Sequence, residues 1–237
     1  MAYKKDNNSA KEQEKTQAAL KAAKEFIYDD FVLGIGTGNT VKYFIRAISE
    51  LIEKNSLDII LVPSSLDTQL ELTKAGLSYS SLLEFPELDV YVDSADIVTK
   101  DYVLVKGGGA ALTKEKTMAK AAKEFIVIVD DSKYPRDLLS HPVPVELLPF
   151  AINTIVQPIF NLGGEFELRY GKGKIGPIIT DNGNCIGDIS FSNLYNPAEM
   201  EVALNNIPGI IENGLFVSYA HRIIIGHKDD AEIIDLM

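Results

Sequence analysis

The sequence predicts an α/β protein in which a Rossmann-like parallel sheet domain is joined to a smaller α+β domain with antiparallel strands. In the first 138 residues, short uninterrupted apolar runs alternate with longer stretches of helical periodicity. This pattern is typical of parallel strands that helices cover on both faces. After about residue 138, prolines and glycines become frequent among short apolar runs. We therefore assign residues 1–138 and 213–237 to the first domain and residues 139–212 to the second.

The elements of the first domain alternate between helix and strand. Apolar residues recur at helical spacing at Ala19, Ala23, Phe26 and Ile27, which predicts a first helix. The apolar runs that predict strands lie at residues 31–35, 59–62, 90–92, 102–105, 125–129, 215–217 and 222–225. In the second domain, residues 181–184 (DNGN) separate two apolar runs and predict a hairpin turn.

The composition excludes some classes of partner. The chain carries 34 acidic and 23 basic residues, a net charge of -11, which disfavours nucleic acid because phosphate backbones select basic surfaces. A locally positive site can still bind a small anion. Cys185 is the only cysteine, so no intrachain disulfide can form. Since there is neither a signal-peptide core at the N-terminus nor an apolar run of about 18 residues, we expect a cytoplasmic location and no membrane partner.

Clusters of glycine and polar residues follow the predicted parallel strands. They lie at residues 36–40, 64–65, 93–96, 106–109 and 130–133. In open parallel sheets, ligands bind beyond the carboxyl ends of the strands. We therefore expect these clusters to meet at one edge of the sheet and to form one site.

The first cluster is a glycine turn that opens a helix and consists of Gly36, Thr37, Gly38, Asn39 and Thr40. Backbone N–H groups at a helix start, with hydroxyl and amide side chains beside them, suit an anion such as a monophosphate. The glycine spacing differs from the dinucleotide-binding fingerprint, and no Gly-Lys-Ser/Thr follows as in a Walker loop. The alternative is a glycine turn that only permits close packing.

Asp93 and Asp96 follow one strand closely enough to share a site. Such a pair can hold sugar hydroxyls or move protons, and the alternative is a solvated turn or helix cap. His141, His221 and His227 are scattered and no third acidic ligand is clustered with the pair. We therefore expect no metal site.

Lys106 precedes three consecutive glycines, Gly107, Gly108 and Gly109. Glycines let the backbone approach a ligand closely, and a lysine at a strand end can stabilise negative charge on a substrate oxygen. Glu115 follows on the next predicted helix, flanked by lysines at 114, 116 and 120. From this charge pattern alone, Glu115 is predicted to lie on a solvated helix face.

Together these segments resemble type A ribose-5-phosphate isomerases. The resemblance runs in order from residue 31 to residue 216 with compatible spacing. It is carried by residues 36–40 (GTGNT), 93–96 (DSAD), 106–112 (KGGGAAL) with 115–116 (EK), 130–133 (DDSK), 180–184 (TDNGN) and 207–216 (IPGIIENGLF).

The resemblance implies that Glu115 is the general base and that Asp93, Asp96 and Lys106 are further catalytic residues. It implies substrate contacts from Thr37, Gly38, Asn39, Thr40, Asp93, Ser94, Ala95, Asp96, Lys106, Gly107, Gly108, Gly109 and Lys133. The family acts without a metal or another cofactor, so none is expected here.

Three positions depart from the family pattern. The family usually has Asp-Gly-Ala-Asp-Glu, whereas this chain has Ser94 in place of the glycine and Ile97 in place of the glutamate. Asn39 stands where serine is common. None of these departures removes a residue with an assigned chemical role, and what they can still shift is the rate or the substrate preference.

The implied reaction is an aldose–ketose isomerisation between ribose 5-phosphate and ribulose 5-phosphate, in the non-oxidative branch of the pentose phosphate pathway. One carboxylate carries a proton between adjacent carbons while a lysine and glycine amides stabilise an enediolate. The alternatives are another sugar-phosphate isomerase or deaminase on a related scaffold, and a sugar-phosphate-sensing domain of a transcription regulator. We expect a homodimer or homotetramer, with the apolar strands of the second domain as a possible subunit contact.

Overall fold

The computed structural model of the chain describes residues 2–173 and 175–236. They form two compact units. The first, the parallel-sheet unit, comprises the residues up to Ala95, Thr117–Tyr134 and the residues from Tyr219 onward. The second, the antiparallel unit, comprises Asp96–Lys116 and Pro135–Ser218. Residues 96–116 are therefore grouped with the antiparallel unit, although the sequence places them in the first domain.

The described residues form both α-helices and β-strands. The helices are α1 (Ala2–Phe26), α2 (Asn39–Asn55), α3 (Leu66–Lys74), α4 (Leu112–Ala121), α5 (Val156–Asn161) and α6 (Pro197–Asn205). The strands are β1 (Val32–Ile35), β2 (Ile60–Pro63), β3 (Leu88–Asp93), β4 (Ile97–Val98), β5 (Leu104–Val105), β6 (Ala122–Asp130), β7 (Val143–Leu147), β8 (Gly164–Leu168), β9 (Cys185–Phe191), β10 (Ile210–Asn213), β11 (Leu215–Phe216), β12 (Arg222–Gly226) and β13 (Ala231–Asp235). Short 3-10 turns lie at Asp131–Lys133, Leu138–Ser140 and Pro149–Ala151.

The parallel-sheet unit is built on a six-stranded sheet with the order β13-β12-β6-β3-β1-β2. Adjacent strands from β12 through β2 are parallel to one another, and the edge strand β13 is antiparallel to β12. Residues 125–129 of β6 are all buried, because a central strand of a covered sheet has no solvent face. The predicted α/β class is confirmed.

Helix α1 packs closely because its buried face consists of alanines. Ala18, Ala19, Ala22 and Ala23 are buried in one core with residues of α2 and of the central strands. At Gly226 of β12, a Cβ atom would lie 1.8 Å from the backbone oxygen of Glu14. The helix backbone thus rests directly on the strand, which only glycine permits at that position.

The strands predicted at 102–105 and 215–217 do not belong to the parallel sheet, and that prediction is wrong. Only Leu104–Val105 and Leu215–Phe216 are strands, and they pair with each other antiparallel in a three-stranded sheet of order β11-β5-β4. Two-residue apolar strands carry no periodicity that distinguishes parallel from antiparallel pairing. The two strands that pair, β5 and β11, lie more than 100 positions apart in the sequence, and local patterns do not reveal such a pairing.

The antiparallel unit also contains a four-stranded antiparallel sheet of order β10-β7-β9-β8. Its core gathers apolar side chains from β7, β9, α5 and α6. The hairpin turn predicted at 181–184 is confirmed, since the Thr180 N–H donates to the Asn184 carbonyl oxygen at 2.8 Å and Ile179 bridges to Cys185. In the part of the chain that the structure describes, no helix has the length and apolarity to cross a membrane.

Candidate active site

The glycine turn between β1 and α2 is shaped by its contact with Asp93. The Gly36 N–H donates to the Val92 carbonyl oxygen at 2.9 Å. A Cβ atom at position 36 would lie 2.0 Å from Asp93 Cγ, so this position accepts only glycine. Gly38 has a φ of 126° and precedes the first turn of α2, where Asn39 and Thr40 begin the helix. The predicted turn therefore places the backbone of Gly36 and Thr37 against a buried carboxylate, directly before the start of α2.

A hydroxyl network holds the same turn from the ends of β1 and β2. Thr37 Oγ1 lies 2.8 Å from Ser64 Oγ, 2.7 Å from Ser65 Oγ and 3.3 Å from Thr68 Oγ1. Thr68 Oγ1 donates to the Gly36 carbonyl oxygen at 2.6 Å. Ser65 caps α3 by accepting the Thr68 N–H at 3.2 Å. Thr68 was not predicted from the sequence. The feature that could have identified it is its position three residues after Ser65, which caps α3.

Asp93 is fully buried and accepts hydrogen bonds from neutral donors. Its Oδ1 accepts the N–H groups of Thr37 at 3.0 Å and of Ser94 at 2.7 Å. Its Oδ2 accepts the hydroxyl of Tyr91. The alternative of a solvated turn is excluded for this residue, because a solvated carboxylate would be exposed. Tyr91 was not predicted as a site residue, because in the sequence it is only one of several residues of a buried, mainly apolar strand.

The cluster after β6 is a short capped turn. Asp130 is buried and accepts the N–H of Ser132 at 3.2 Å and its hydroxyl. Lys133 closes the 3-10 turn and is partly exposed. Four of the five predicted clusters, those at 36–40, 64–65, 93–96 and 130–133, thus begin at the carboxyl ends of strands of the parallel sheet. The fifth, at 106–109, follows β5 of the antiparallel unit, so the prediction that it ends a parallel strand is wrong.

A buried ion pair in the antiparallel unit joins Lys106 to Glu115. The Nζ of Lys106 lies 3.1 Å from Glu115 Oε2, and the two side chains are only 3% and 5% exposed. Glu115 is in the first turn of α4. The neighbouring charges predict that Glu115 lies on a solvated helix face, and that prediction is wrong. Removing one partner from a buried pair leaves an uncompensated charge, so the two side chains hold each other in place.

The next residue, Lys116, is also buried, and its partners explain why the charge pattern misleads. Its Nζ lies 2.8 Å from Glu201 Oε1 and 3.0 Å from Glu212 Oε1. Both lysines lie over the ring of Phe216, whose centroid is 4.9 Å from Lys116 Nζ and 5.6 Å from Lys106 Nζ. This is the geometry of a cation–π contact. These partners are about 85 to 100 positions away in sequence, so no local signal identifies them.

The second glycine turn lies beside Asp96. The Gly108 N–H donates to Asp96 Oδ2 at 2.8 Å, and a Cβ atom at position 108 would lie 2.6 Å from Asp96 Oδ1. Gly107 has a φ of 111°, a backbone region that favours glycine. The Ala110 N–H closes the turn on the Gly107 carbonyl oxygen at 3.0 Å. Gly109 completes this turn, which brings the predicted carboxylate and the predicted glycines together.

A further buried carboxylate, Glu146 of β7, was not predicted. Its oxygens accept hydrogen bonds from Thr180, Asn182 and Asn184 at 2.8 to 3.2 Å, and from the hydroxyl of Thr113. Thr113 lies in the first turn of α4, two residues before Glu115. Glu146 thus ties the start of that helix to the hairpin turn.

The predicted site residues fall into two groups. The parallel-sheet unit holds Thr37, Gly38, Asn39, Thr40, Asp93, Ser94, Ala95 and Lys133. The antiparallel unit holds Asp96, Lys106, Gly107, Gly108, Gly109 and Glu115. Among the described residues, no three or more histidine, cysteine or acidic side chains are arranged to hold a metal ion. Each group combines a buried carboxylate with a glycine turn, an arrangement suited to positioning polar oxygens of a ligand.

Comparison with known proteins identifies the family. The sequence profile of ribose 5-phosphate isomerase A (phosphoriboisomerase A) matches residues 60–230. Ribose-5-phosphate isomerase A of Pyrococcus abyssi is 41% identical over 225 residues, which cover 94% of this chain and 98% of that protein. The protein of the same name from Thermosynechococcus vestitus is 42% identical over 218 residues, covering 91% and 92% of the two chains.

Solved structures show the same relationship. Ribose 5-phosphate isomerase A from Methanocaldococcus jannaschii superposes with a TM-score of 0.91 at 34% identity, covering 96% of this chain and all of that chain. A D-ribose-5-phosphate isomerase solved in complex with phospho-erythronic acid superposes with a TM-score of 0.90 at 39% identity, covering 96% and 99%. The resemblance of the motifs therefore extends over nearly the whole fold. The chain belongs to the ribose 5-phosphate isomerase A family.

Proposed function

We propose that this chain interconverts D-ribose 5-phosphate and D-ribulose 5-phosphate, with Glu115 as the base that carries the proton. The family supports the reaction, and the buried pair of Glu115 and Lys106 supports the assignment of the base. A carboxylate that is 4% exposed has lost most of its hydration, so a substrate C–H group does not have to compete with water for it. This is the single observation that best supports the mechanism.

The proton transfer proceeds in two balanced steps. Glu115 takes the proton from C2 of the open-chain aldose, the C–H electron pair forms the C1–C2 double bond, and the C1 carbonyl oxygen becomes the oxygen anion of an enediolate. The O2 proton is transferred toward O1 as the C2 carbonyl forms, and Glu115 returns its proton to C1. General-base catalysis of this kind contributes about 10²–10⁴-fold in rate.

Lys106 stabilises the negative charge that develops on the substrate. Its ammonium is already 3.1 Å from the base, so the charge that leaves the carboxylate arises on an oxygen near the same cation. The peptide groups of Gly107, Gly108 and Gly109 act beside it as hydrogen-bonding contacts. Such pre-positioned donors account for much of the catalysis in enzymes that form oxyanions.

The turn at Thr37, Gly38, Asn39 and Thr40 binds the phosphate of the substrate in this proposal, with Lys133 as a further contact. The support is the helix start at Asn39 after a positive-φ glycine, a geometry that presents N–H groups to an anion. A related isomerase has been solved with phospho-erythronic acid, a phosphorylated sugar acid. A phosphorylated sugar is therefore the substrate class that we infer here.

Asp93 and Asp96, with the backbone of Ser94 and Ala95 between them, contact the sugar hydroxyls and assist opening of the furanose ring. The support is that a backbone N–H orients each carboxylate. The N–H of Thr37 donates to Asp93, and the N–H of Gly108 donates to Asp96. A carboxylate fixed in this way retains lone pairs for a hydroxyl donor, since each oxygen accepts more than one hydrogen bond.

A coupled assay of ribulose 5-phosphate formation from ribose 5-phosphate, with EDTA present, tests the proposal. We expect turnover that chelation does not change. Absence of turnover, or ammonia release from glucosamine 6-phosphate instead, would replace this reaction with that of a sugar-phosphate deaminase.

We also propose that the chain acts as a homodimer or homotetramer in the cytoplasm. The support for assembly is the set of exposed apolar side chains of the antiparallel unit, among them Phe150 at 84% and Phe160 at 65% exposed. The support for a reducing compartment is the single, buried Cys185. Light scattering after size-exclusion chromatography tests the assembly, and a monomer at micromolar concentration would contradict it.

A further inference from the structure

We propose that Arg169 is a positioning residue that holds the glycine turn of residues 107–109 so that the Gly108 N–H stays on Asp96 and the Gly109 N–H is turned toward the substrate. The inference rests on the proposed function, which assigns substrate contacts to that turn. Arg169 lies directly after β8 in the same unit as the turn. Its Nη1 donates to the carbonyl oxygens of Gly107 at 2.9 Å and of Gly108 at 3.2 Å.

These two contacts orient two successive peptide groups. In a trans peptide the C=O and N–H bonds point in opposite directions. The Gly107 carbonyl faces Arg169, and the N–H of the same peptide group, on Gly108, donates to Asp96 Oδ2 at 2.8 Å. The Gly108 carbonyl also faces Arg169, so the Gly109 N–H points away from the guanidinium. Arg169 thus keeps carbonyl oxygens on one side of the turn and directs amides to the other.

The direction of these peptide groups decides whether the turn can stabilise an anion. An N–H group directed at a developing oxyanion lowers its energy, whereas a carbonyl oxygen in the same place would repel it. Glycine peptides rotate more freely than others because no Cβ atom restricts them. The turn needs glycine, since a Cβ atom on Gly107 would lie 2.7 Å from Leu112 Cδ2. It therefore has no side chains of its own to fix its shape, and hydrogen bonds to its peptide groups take that role.

Arg169 is itself held firmly enough to do this. Asp188 of β9 accepts from Nε at 2.9 Å and from Nη2, a two-point contact that fixes the plane of the guanidinium. The two side chains are 18% and 26% exposed. The backbone of Arg169 is bonded on both sides, to the Ile186 carbonyl oxygen at 3.0 Å and from the Ile178 N–H at 2.9 Å. A lysine has no planar fork and cannot contact Asp188 and both carbonyls together.

The test compares kcat and KM on ribose 5-phosphate for R169A, R169K and D188N. The matched control is R46A, which removes an exposed arginine from α2. Misplacement of a catalytic contact by about 1 Å costs up to about 10²-fold, so we expect R169A and R169K to lower kcat about 10- to 100-fold with KM changed far less. D188N should show a smaller loss in the same direction, and R46A should match the wild type. Methylguanidinium should restore part of the R169A activity.

Two results would overturn the inference. One is an R169A enzyme, folded by circular dichroism, that keeps kcat within a factor of two of the wild type. The other is a loss of activity that only follows the unfolded fraction and is not rescued by methylguanidinium.

Amide hydrogen exchange at Gly108 and Gly109 separates this inference from the proposed function. If the wild type failed to isomerise ribose 5-phosphate, the proposed function would fail. The exchange rates would still report on the turn. Faster exchange in R169A than in R46A supports the positioning role, and equal rates contradict it.

Discussion

Two buried carboxylates, Asp93 and Glu115, are held in different ways. Asp93 is fully buried and accepts from neutral donors, the N–H groups of Thr37 and Ser94 and the hydroxyl of Tyr91. Glu115 is 4% exposed and pairs with the ammonium of Lys106 at 3.1 Å. Hydrogen bonds from backbone and hydroxyl donors fix the orientation of the first carboxylate, whereas the ammonium of Lys106 lies against the second.

The difference supports the proposal that Glu115, and not Asp93, carries the proton. When Glu115 accepts a proton from the substrate, the negative charge passes to the enediolate while Lys106 stays positive. The total charge around the ammonium is unchanged, so the step avoids the large cost of creating a net charge in a buried place. A proton on Asp93 would instead compete with the N–H groups that its oxygen accepts. We therefore infer a reacting role for Glu115 and an orienting role for Asp93.

The largest expected effect comes from giving both carboxylates the same isosteric change. Glu115→Gln should lower kcat about 10³-fold, because an amide cannot act as the base. KM should change little. Asp93→Asn keeps an oxygen acceptor for the two N–H groups, so kcat should fall only about tenfold, the loss of one charge-assisted hydrogen bond. Steady-state kinetics on ribose 5-phosphate measures both, and equal losses would remove the distinction between the two residues.

Lys106→Ala should have the next largest effect. It removes the cation that we propose stabilises the enediolate, so we expect kcat to fall about 10²-fold with KM less affected. Thermal unfolding should be monitored, since Glu115 is then left in a buried site without this partner. A rise in KM with unchanged kcat would instead assign Lys106 to anchoring the phosphate.

Gly36→Ala should displace the side chain of Asp93. The added Cβ atom would lie 2.0 Å from Asp93 Cγ, so the carboxylate must move, at a cost of about 2 kcal/mol in unfolding free energy. Gly171→Ala is the control, because its nearest contact would be an ordinary 3.5 Å from Ile178 Cγ1. Urea denaturation measures both variants. Equal stability of the two would show that Asp93 is not confined as described.

The smallest expected effect concerns pH. Burial lowers the pKa of His221 below its ordinary 6.5, and its Nδ1 accepts the Phe125 N–H at 3.1 Å. The unfolded chain therefore binds a proton below pH 6.5 before the folded chain does, so stability is complete above that pH and declines as the pH falls. Since the ring is partly exposed, the loss should be only roughly 0.5 kcal/mol. His221→Asn keeps an acceptor and does not titrate, so urea denaturation at pH 7.5 and 5.5 should show less decline for the variant.

The sequence predicted the parts of the molecule in which local pattern determines structure. Uninterrupted apolar runs identified the parallel sheet, and glycine and aspartate at strand ends identified 36–40 and Asp93. The local pattern of residues did not predict the strands whose pairing partners lie far away in the sequence. The strands at 104–105 and 215–216 are too short to show a period, and their antiparallel pairing depends on residues far along the chain.

The burial of Glu115 could not be predicted for the same reason. Its neighbour Lys116 looks solvated from the local charges but pairs with Glu201 and Glu212. Arg169 and Glu146 also act through partners distant in sequence. Among the features of the sequence, only the ordered combination of motifs that is typical of the family indicated Glu115.

The most direct test of the central claim follows the hydrogen on C2. Ribose 5-phosphate deuterated at C2 is incubated with the wild type and with Glu115→Gln at equal concentration, and proton NMR follows the loss of deuterium from C2. We predict that the wild type removes it at the rate of turnover, whereas the variant leaves it in place over the same period. Removal by the variant at the wild-type rate would contradict the assignment of Glu115 as the base.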